Sequence, residues 1–329
     1  MSKTIQAHAI RIHEFGGAEV MKWEKIDVPP PAADEVRITT TAAGLNYIDT
    51  YHRSGMYKIA LPSVIGREAA GVVESVGTSV SEFKPGDRVA YASSPIGAYA
   101  EVRLMPAERL VKIPDGISDQ QAASMMLKGM TAQYLLRRTH CVQPGDIILF
   151  HAAAGGVGLI LGQWAKHLGA TVIGTVGSDE KIALAKSHGY DHVINYRTED
   201  FAVRVAEITN GAKCRVVYDG VGKDTFLKSL DCIAPLGLMV SFGAASGAVP
   251  PVYVGDLTSR GSLYLTRPTI DTYVAKRADL VATAKDLFDV VTRGIVKIEV
   301  NQSYALKDAA QAHRDLEARN TTGSTVFIP

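Results

Sequence analysis

Residues 147–170 read IILFHAAAGGVGLILGQWAKHLGA. The opening IILFHA, over 147–152, is a short apolar run of strand type, and GVGLILGQWAKHLG has the pattern of a buried helix. Between them, HAAAGGVG (151–158) supplies a turn whose glycines stand at particular places. Gly155 and Gly158 let the backbone bend sharply and approach a pyrophosphate, and the amides at the helix start then face its charge. Counted from Ala152 the spacing is A-x-x-G-x-x-G. The flanking positions Ala154, Gly156 and Val157 belong to the same cradle. The span 147–165 is long enough to tempt a transmembrane reading. It holds His151, Gln163, Trp164 and four glycines, so strand, turn and helix explain it better and no membrane partner is expected.

Downstream, strands alternate with helices. TVIGTV (171–176), HVIN (192–195), RVVYD (215–219), LMVSF (238–242) and SLYLT (262–266) follow the first strand, with DEKIALAKSHG, EDFAVRVAEIT and KDTFLKSLDCI among the helices between. Six strands in this rhythm predict an α/β fold with a doubly wound parallel sheet, the full dinucleotide-binding count. Upstream, SDQQAASMMLKGMTAQYLLRRT reads as helix, opened by Ser118 with Gln121 three residues on. The first third carries VRITTTAAG, GVVESVG and DRVAYAS, punctuated by Pro29-Pro30-Pro31, Lys84-Pro85-Gly86-Asp87 and Pro114-Asp115-Gly116, which predicts a compact β-rich domain. The tail gives a helix with Leu280, Ala284, Leu287, Phe288 and Val291 on one face and Gly294 as its stop. A strand-like IVKIEV, a short helix near 307–318 and a final strand STVFIP follow. These returning strands are expected to complete the first domain: 1–126 and 267–329 form one, and 127–266 is the dinucleotide domain inserted in it.

Composition fits an ordinary globular chain. Of 329 residues, 47% are hydrophobic and 21% charged, and the formal net charge is +1. That balance argues against nucleic acid as a partner. Cys141, Cys214 and Cys232 have neither metal-ligand nor redox spacing, and the N-terminus lacks a signal-peptide core, so a reducing, cytoplasmic setting is expected.

The end of the second strand decides the nicotinamide cofactor. An acid there would bond a ribose hydroxyl. The strand instead runs into Gly177-Ser178, with Asp179, Glu180 and Lys181 opening the next helix. The small pair leaves space and Lys181 can meet a 2′-phosphate. The reading is NADPH, with helix-start acids and a surface lysine as the plainer alternative.

GREAAGVVESVG, KPGDRV, LKGMTAQYLL, HAAAGGVG and INYR together resemble the medium-chain dehydrogenase/reductase superfamily. Residues 42–57, AAGLNYIDTYHRSGMY, are similar to the zinc-free, NADPH-dependent quinone oxidoreductases within it. The resemblance covers essentially the whole chain. It implies a GroES-like catalytic domain split by a Rossmann domain, with the active site in the cleft between, and a homodimer. It places Asn46 and Tyr51 near the nicotinamide as catalytic candidates and Thr131 at a cofactor contact. Ser178, Lys181, Tyr196 and Arg319 fall around the 2′-phosphate, with Phe242 and Gly243 beside the nicotinamide and Arg267 nearby. Gly177 joins the cofactor set as part of the Gly-Ser pair.

Zinc-dependent relatives use a Cys in the segment that here reads Gly44-Leu45-Asn46 and a His where Arg67 stands. An amide and a guanidinium cannot replace thiolate and imidazole on Zn²⁺, so no metal is expected. Lacking a Lewis acid, the protein needs an acceptor that is already electrophilic. The expected activity is NADPH-dependent reduction of quinones, by hydride transfer or by one-electron steps. Asn46 would donate its amide and Tyr51 its hydroxyl, as Tyr47 or Tyr57 also could; packing and capping roles are the alternatives for all of them. A reductase of α,β-unsaturated carbonyls is the alternative enzyme. An NADPH-binding structural or nucleic-acid-binding protein is the alternative of another class. SLYLT as a sheet edge would supply the dimer contact.

Overall fold

The computed structural model describes residues 3–329. The chain divides into two compact units. One holds the residues up to Met130 with Val274–Phe288 and Ile298–Pro329, and the other holds Thr131–Tyr273 with Asp289–Lys297.

The strands run, in order, β1 Ile5–Ile12, β2 Lys22–Val28, β3 Glu35–Leu45, β4 Ser63–Val64, β5 Glu68–Val76, β6 Arg88–Tyr91, β7 Val102–Pro106 and β8 Val111–Lys112 in the first unit. The second contributes β9 Ile147–His151, β10 Thr171–Val176, β11 His192–Asn195, β12 Cys214–Asp219, β13 Ile233–Ser241 and β14 Tyr264–Thr266. The tail returns with β15 Val300–Ala305 and β16 Ser324–Ile328.

In the first unit β2-β1-β4 form a small sheet. A larger sheet has the order β15-β16-β3-β5-β6-β8, with β7 also paired to β3. The C-terminal strand β16 lies antiparallel to β3, with Thr325 opposite Leu45 and Phe327 opposite Ala43. Ile10, Ile38, Ile65, Met105 and Phe327 are among the residues that fill its core. Helix Tyr47–Ser54 leaves β3 directly. Asp49 Oδ2 accepts the Asn46 N–H at its start, and Gly55, at φ 80°, ends it.

The second unit is a six-stranded parallel sheet of order β11-β10-β9-β12-β13-β14. Counted from β9 that is 3-2-1-4-5-6, and the strand order reverses between β9 and β12, where open sheets of this kind bind ligands.

Two local expectations differ. The long helix is α-helical over Asp119–Tyr134 and continues as one π turn, Leu135–Thr139. Its start is as read: Ser118 and Gln121 exchange the two capping hydrogen bonds. IVKIEV is not a strand, because β15 begins only at Val300. The amides of Ile295 and Val296 instead return to the carbonyl of Val290, closing the helix Arg277–Thr292, and Lys297 N–H bonds Gln163. Val296 and Ile298 are buried, which produced the strand-like alternation.

Candidate functional site

In the second unit, the glycine turn has the geometry its spacing requires. Ala152 follows β9 at φ 60°, and the Ala153 and Gly155 amides bond Thr175 and Ala152 carbonyls. The helix Gly156–His167 then starts with no side-chain cap on Gly155. Its first amides are therefore left to an external anion, as a pyrophosphate cradle needs. A Cβ on Gly158 would run into the carbonyls of Ala152 and Ala153, so only glycine brings helix and turn this close. Ala154, Gly155, Gly156, Val157 and Gly158 are thus brought together as one turn.

At the end of β10, Gly177 and Ser178 are half-buried and Lys181 lies in the first turn of the following helix, Glu180–Ser187. The Tyr196 hydroxyl lies 3.1 Å from where a Gly177 Cβ would stand, and Tyr196 N–H bonds Val176 across the β10–β11 pair. Ser178, Lys181 and Tyr196 therefore share one strand end. Asp179, the acid closest to it, accepts the Asn195 side-chain amide at 2.8 Å and is committed to the protein. Arg319 belongs to the first unit, at φ 65° after the helix Ala309–Glu317.

At the end of β13, Phe242 donates its N–H to the Asp219 carbonyl, and Gly243 passes so close to Gly220 that a side chain would collide. Arg267 Nη1 donates to Ser241 O at 2.8 Å, which ties the chain after β14 to that same strand end. Thr131 is buried and bonds the Tyr134 hydroxyl, whose ring stacks on Tyr273 at 4.5 Å.

The first unit assembles a different group around Asn46. Asn46 is buried, and its side-chain amide does not face outward as a donor. Nδ2 gives to Glu68 Oε2 at 2.7 Å and to Gly44 O at 3.4 Å. The physical reason is Glu68, a fully buried carboxylate that needs donors. It also takes the Leu127 N–H at 2.8 Å and pairs with Lys128 Nζ at 3.1 Å. Gly44 must be glycine here, because a Cβ would strike the Glu68 carboxylate and the Ala123 carbonyl. Tyr51 stands half-buried between Tyr47 and Tyr57, edge to face with both at 5.7 and 5.2 Å. Burial and the nearby Glu317 carboxylate raise the Tyr47 phenol above its ordinary range.

Motif reading missed the network that Asp49 belongs to. Asp49, Tyr99, His313 and Arg53 are all buried and joined in series. Tyr99 donates to Asp49 Oδ2 at 2.8 Å, His313 Nε2 lies 3.3 Å from the Tyr99 hydroxyl, and Arg53 donates to His313 Nδ1 and to Glu317. Burial pushes the Asp49 carboxyl up to about 7, against the pull of Tyr99, Asn46, Lys128 and Arg67. Burial, helped by Arg53, pushes His313 down to about 3. The partners are up to 264 residues apart in sequence, so no local spacing announces them.

Residues 32–115 match the family model for the alcohol dehydrogenase GroES-like domain, and 156–288 match that for zinc-binding dehydrogenases. The chain is 54% identical to a quinone oxidoreductase of Pseudomonas aeruginosa, over 98% of this chain and 100% of that one. It is 48% identical to a 2-haloacrylate reductase of a Burkholderia species, over 97% and 98%. The crystal structure of Escherichia coli quinone oxidoreductase complexed with NADPH superposes with a TM-score of 0.97 at 49% identity, covering 98% of this chain and all of that one.

Proposed function

Because the chain belongs to the quinone oxidoreductase family of medium-chain dehydrogenases/reductases, we propose that it reduces quinones with NADPH and without a metal ion. The observation that carries the cofactor assignment is the end of β10. Gly177 and Ser178 leave room, Lys181 and Tyr196 stand beside them, and Asp179 is already bonded to Asn195. A 2′-phosphate fits such a strand end, and a ribose hydroxyl seeking an acid does not. The uncapped helix start at Gly155 receives the pyrophosphate. Thr131, Phe242, Gly243 and Arg267 bound the nicotinamide end.

Bound NADPH supplies the hydride, and the protein supplies orientation, donors and a dry environment. Tyr51 is the hydroxyl donor for the oxygen that gains charge. Asn46 acts at one remove, since its amide holds Glu68 and Lys128 in place. Overall, quinone, NADPH and one proton give hydroquinone and NADP⁺. A conjugated enoate carries the same kind of electrophilic carbon, and the 2-haloacrylate reductase relative favours it as a second acceptor class.

NADPH and NADH oxidation, measured side by side with a benzoquinone, a naphthoquinone and an enone, tests the reading. NADPH with a quinone should be the most efficient pair. Equal or better use of NADH would refute the cofactor assignment, and NADPH binding with no acceptor turned over would refute the enzyme.

The edge strand β14 exposes Tyr264 at 63% and Leu265 at 38%, which supports a homodimer formed along that edge. Light scattering should then give twice the 35.2 kDa of one chain. Among the described residues no helix is long and apolar enough to cross a membrane. All three cysteines are free thiols, which supports a cytoplasmic setting.

A further inference from the structure

Beneath the cofactor turn of the second unit lies a side-chain network that the reading above leaves without a task. His151, the last residue of β9, is fully buried. Its Nδ1 lies 2.8 Å from Thr175 Oγ1 on β10, and its Nε2 lies 2.8 Å from Ser229 Oγ on the helix Phe226–Asp231. The Ser229 hydroxyl donates onward to acceptors, Asp219 Oδ2 at 3.0 Å and the Thr225 carbonyl. The Ser229 oxygen must therefore receive a proton from Nε2–H, and Nδ1 must accept from Thr175. Burial lowers the imidazole's affinity for a second proton, in keeping with this neutral form.

Asp219, at the end of β12, is the anchor. Its carboxylate also takes the Thr225 hydroxyl at 2.7 Å and the amides of Val221 and Gly222 at 2.8 and 2.9 Å. Its carbonyl takes Phe242 N–H at 2.9 Å. These contacts meet at the carboxyl ends of four strands, β9, β10, β12 and β13. Ala152, in its left-handed conformation, follows His151 directly, and Ala153 N–H bonds the Thr175 carbonyl. A core selected for stability alone is apolar; a buried, fully partnered polar network fixes geometry instead.

We propose that His151 and Asp219 are positioning residues for the dinucleotide. The chain Thr175–His151–Ser229–Asp219 holds the pyrophosphate turn at 152–158 in register with the loops at 220–222 and 242–243. The adenosine 2′-phosphate contacts, at Ser178 and Lys181, lie past Thr175, the last member of the brace on β10, and make none of its hydrogen bonds. The inference rests on the NADPH reading above, and its consequence is an asymmetry. Loosening the brace weakens the whole dinucleotide and spares a ligand that occupies only the adenosine end.

Dissociation constants for NADPH and for adenosine 2′-monophosphate, which has no 5′-phosphate for the turn to hold, measured on the full chain, read this out. His151→Phe should weaken NADPH by about tenfold or more and leave the 2′-monophosphate within about twofold. His151→Gln keeps a carbonyl for Thr175 and an amide for Ser229, and should restore NADPH binding. Ser229→Ala, a smaller change, cuts the same chain and decides the matter if His151→Phe does not fold. Unchanged NADPH affinity, or equal losses for both ligands, overturns the positioning role. Wild-type protein that binds neither ligand overturns the NADPH reading itself.

Discussion

Replacing Asp49 with Asn should change how stability depends on pH. Asp49 and His313 stand at opposite sides of the buried Tyr99 hydroxyl, and burial displaces both in the direction of their neutral forms. An unfolded Asp49 loses its proton near 3.8 and the folded one near about 7, so the native state binds more protons and stability falls as pH rises between these values. That separation is worth about 4 kcal/mol at ~1.36 kcal/mol per pH unit. His313 has the opposite slope. Its unfolded imidazole protonates near 6.5 and the folded one only near about 3, so stability is lost as pH falls through that window. Across the shared range, from about pH 4 to 6.5, the two slopes largely cancel in the wild type. Asp49→Asn removes only the first. Asn can still accept from Tyr99 and from the Asn46 amide, so the network keeps its connections. Measured by urea unfolding, its stability relative to wild type should climb by about 3 kcal/mol between about pH 4.5 and 7, then level off. His313→Gln, which keeps an acceptor for Arg53 and a donor for Tyr99, should gain on wild type as pH falls over the same range. A difference that stays constant with pH within about 0.5 kcal/mol would refute the account.

Other outcomes follow from the same contacts. Lys128→Met leaves the Glu68 carboxylate buried without its cation and should cost about 3–5 kcal/mol in denaturant unfolding, most of it recovered in the Glu68→Gln/Lys128→Met double variant; no recovery would mean the pair is not the source. Tyr51→Phe should lower kcat with quinones by about tenfold or more, near 1.4 kcal/mol of lost transition-state stabilisation, with NADPH affinity nearly intact; unchanged turnover would remove Tyr51 from the chemistry. Lys181→Ala should raise the KM for NADPH by about tenfold and leave that for NADH unmoved, since only the former carries the 2′-phosphate; parallel changes would refute its role.

What could be read from the chain was local. The A-x-x-G-x-x-G turn dictates its own shape, because Gly158 and Ala152 leave the backbone few alternatives, and the strands around it repeat at short intervals. Ser118 and Gln121 likewise met across three residues as written. IVKIEV misled for a local reason too. Val296 and Ile298 are buried at strand spacing while their backbone closes a helix. Asn46 was legible as a position and not as a role. The residue that turns its amide inward, Glu68, is 22 positions away, and the cation opposite that carboxylate is 60 away.

The buried charges explain why residue type alone could not settle the site. Asn46 and Arg67 remove the thiolate and imidazole that would bind zinc, yet the acids beside them, Asp49 and Glu68, remain fully buried. A buried carboxylate must be paired, hydrogen-bonded or neutralised. Glu68 is paired, with Lys128 from the helix Asp119–Tyr134. Asp49 is hydrogen-bonded by Tyr99 and the Asn46 amide, and its elevated pKa neutralises it over much of the acid range. One acid solved by a cation and its neighbour by a proton is a choice made by packing. Two acids of similar burial are thereby satisfied by different means, Glu68 by the Lys128 cation and Asp49 by donors and a raised pKa. The helix that presents Tyr51 starts at the second of these solutions and is held, through Asn46, by the first.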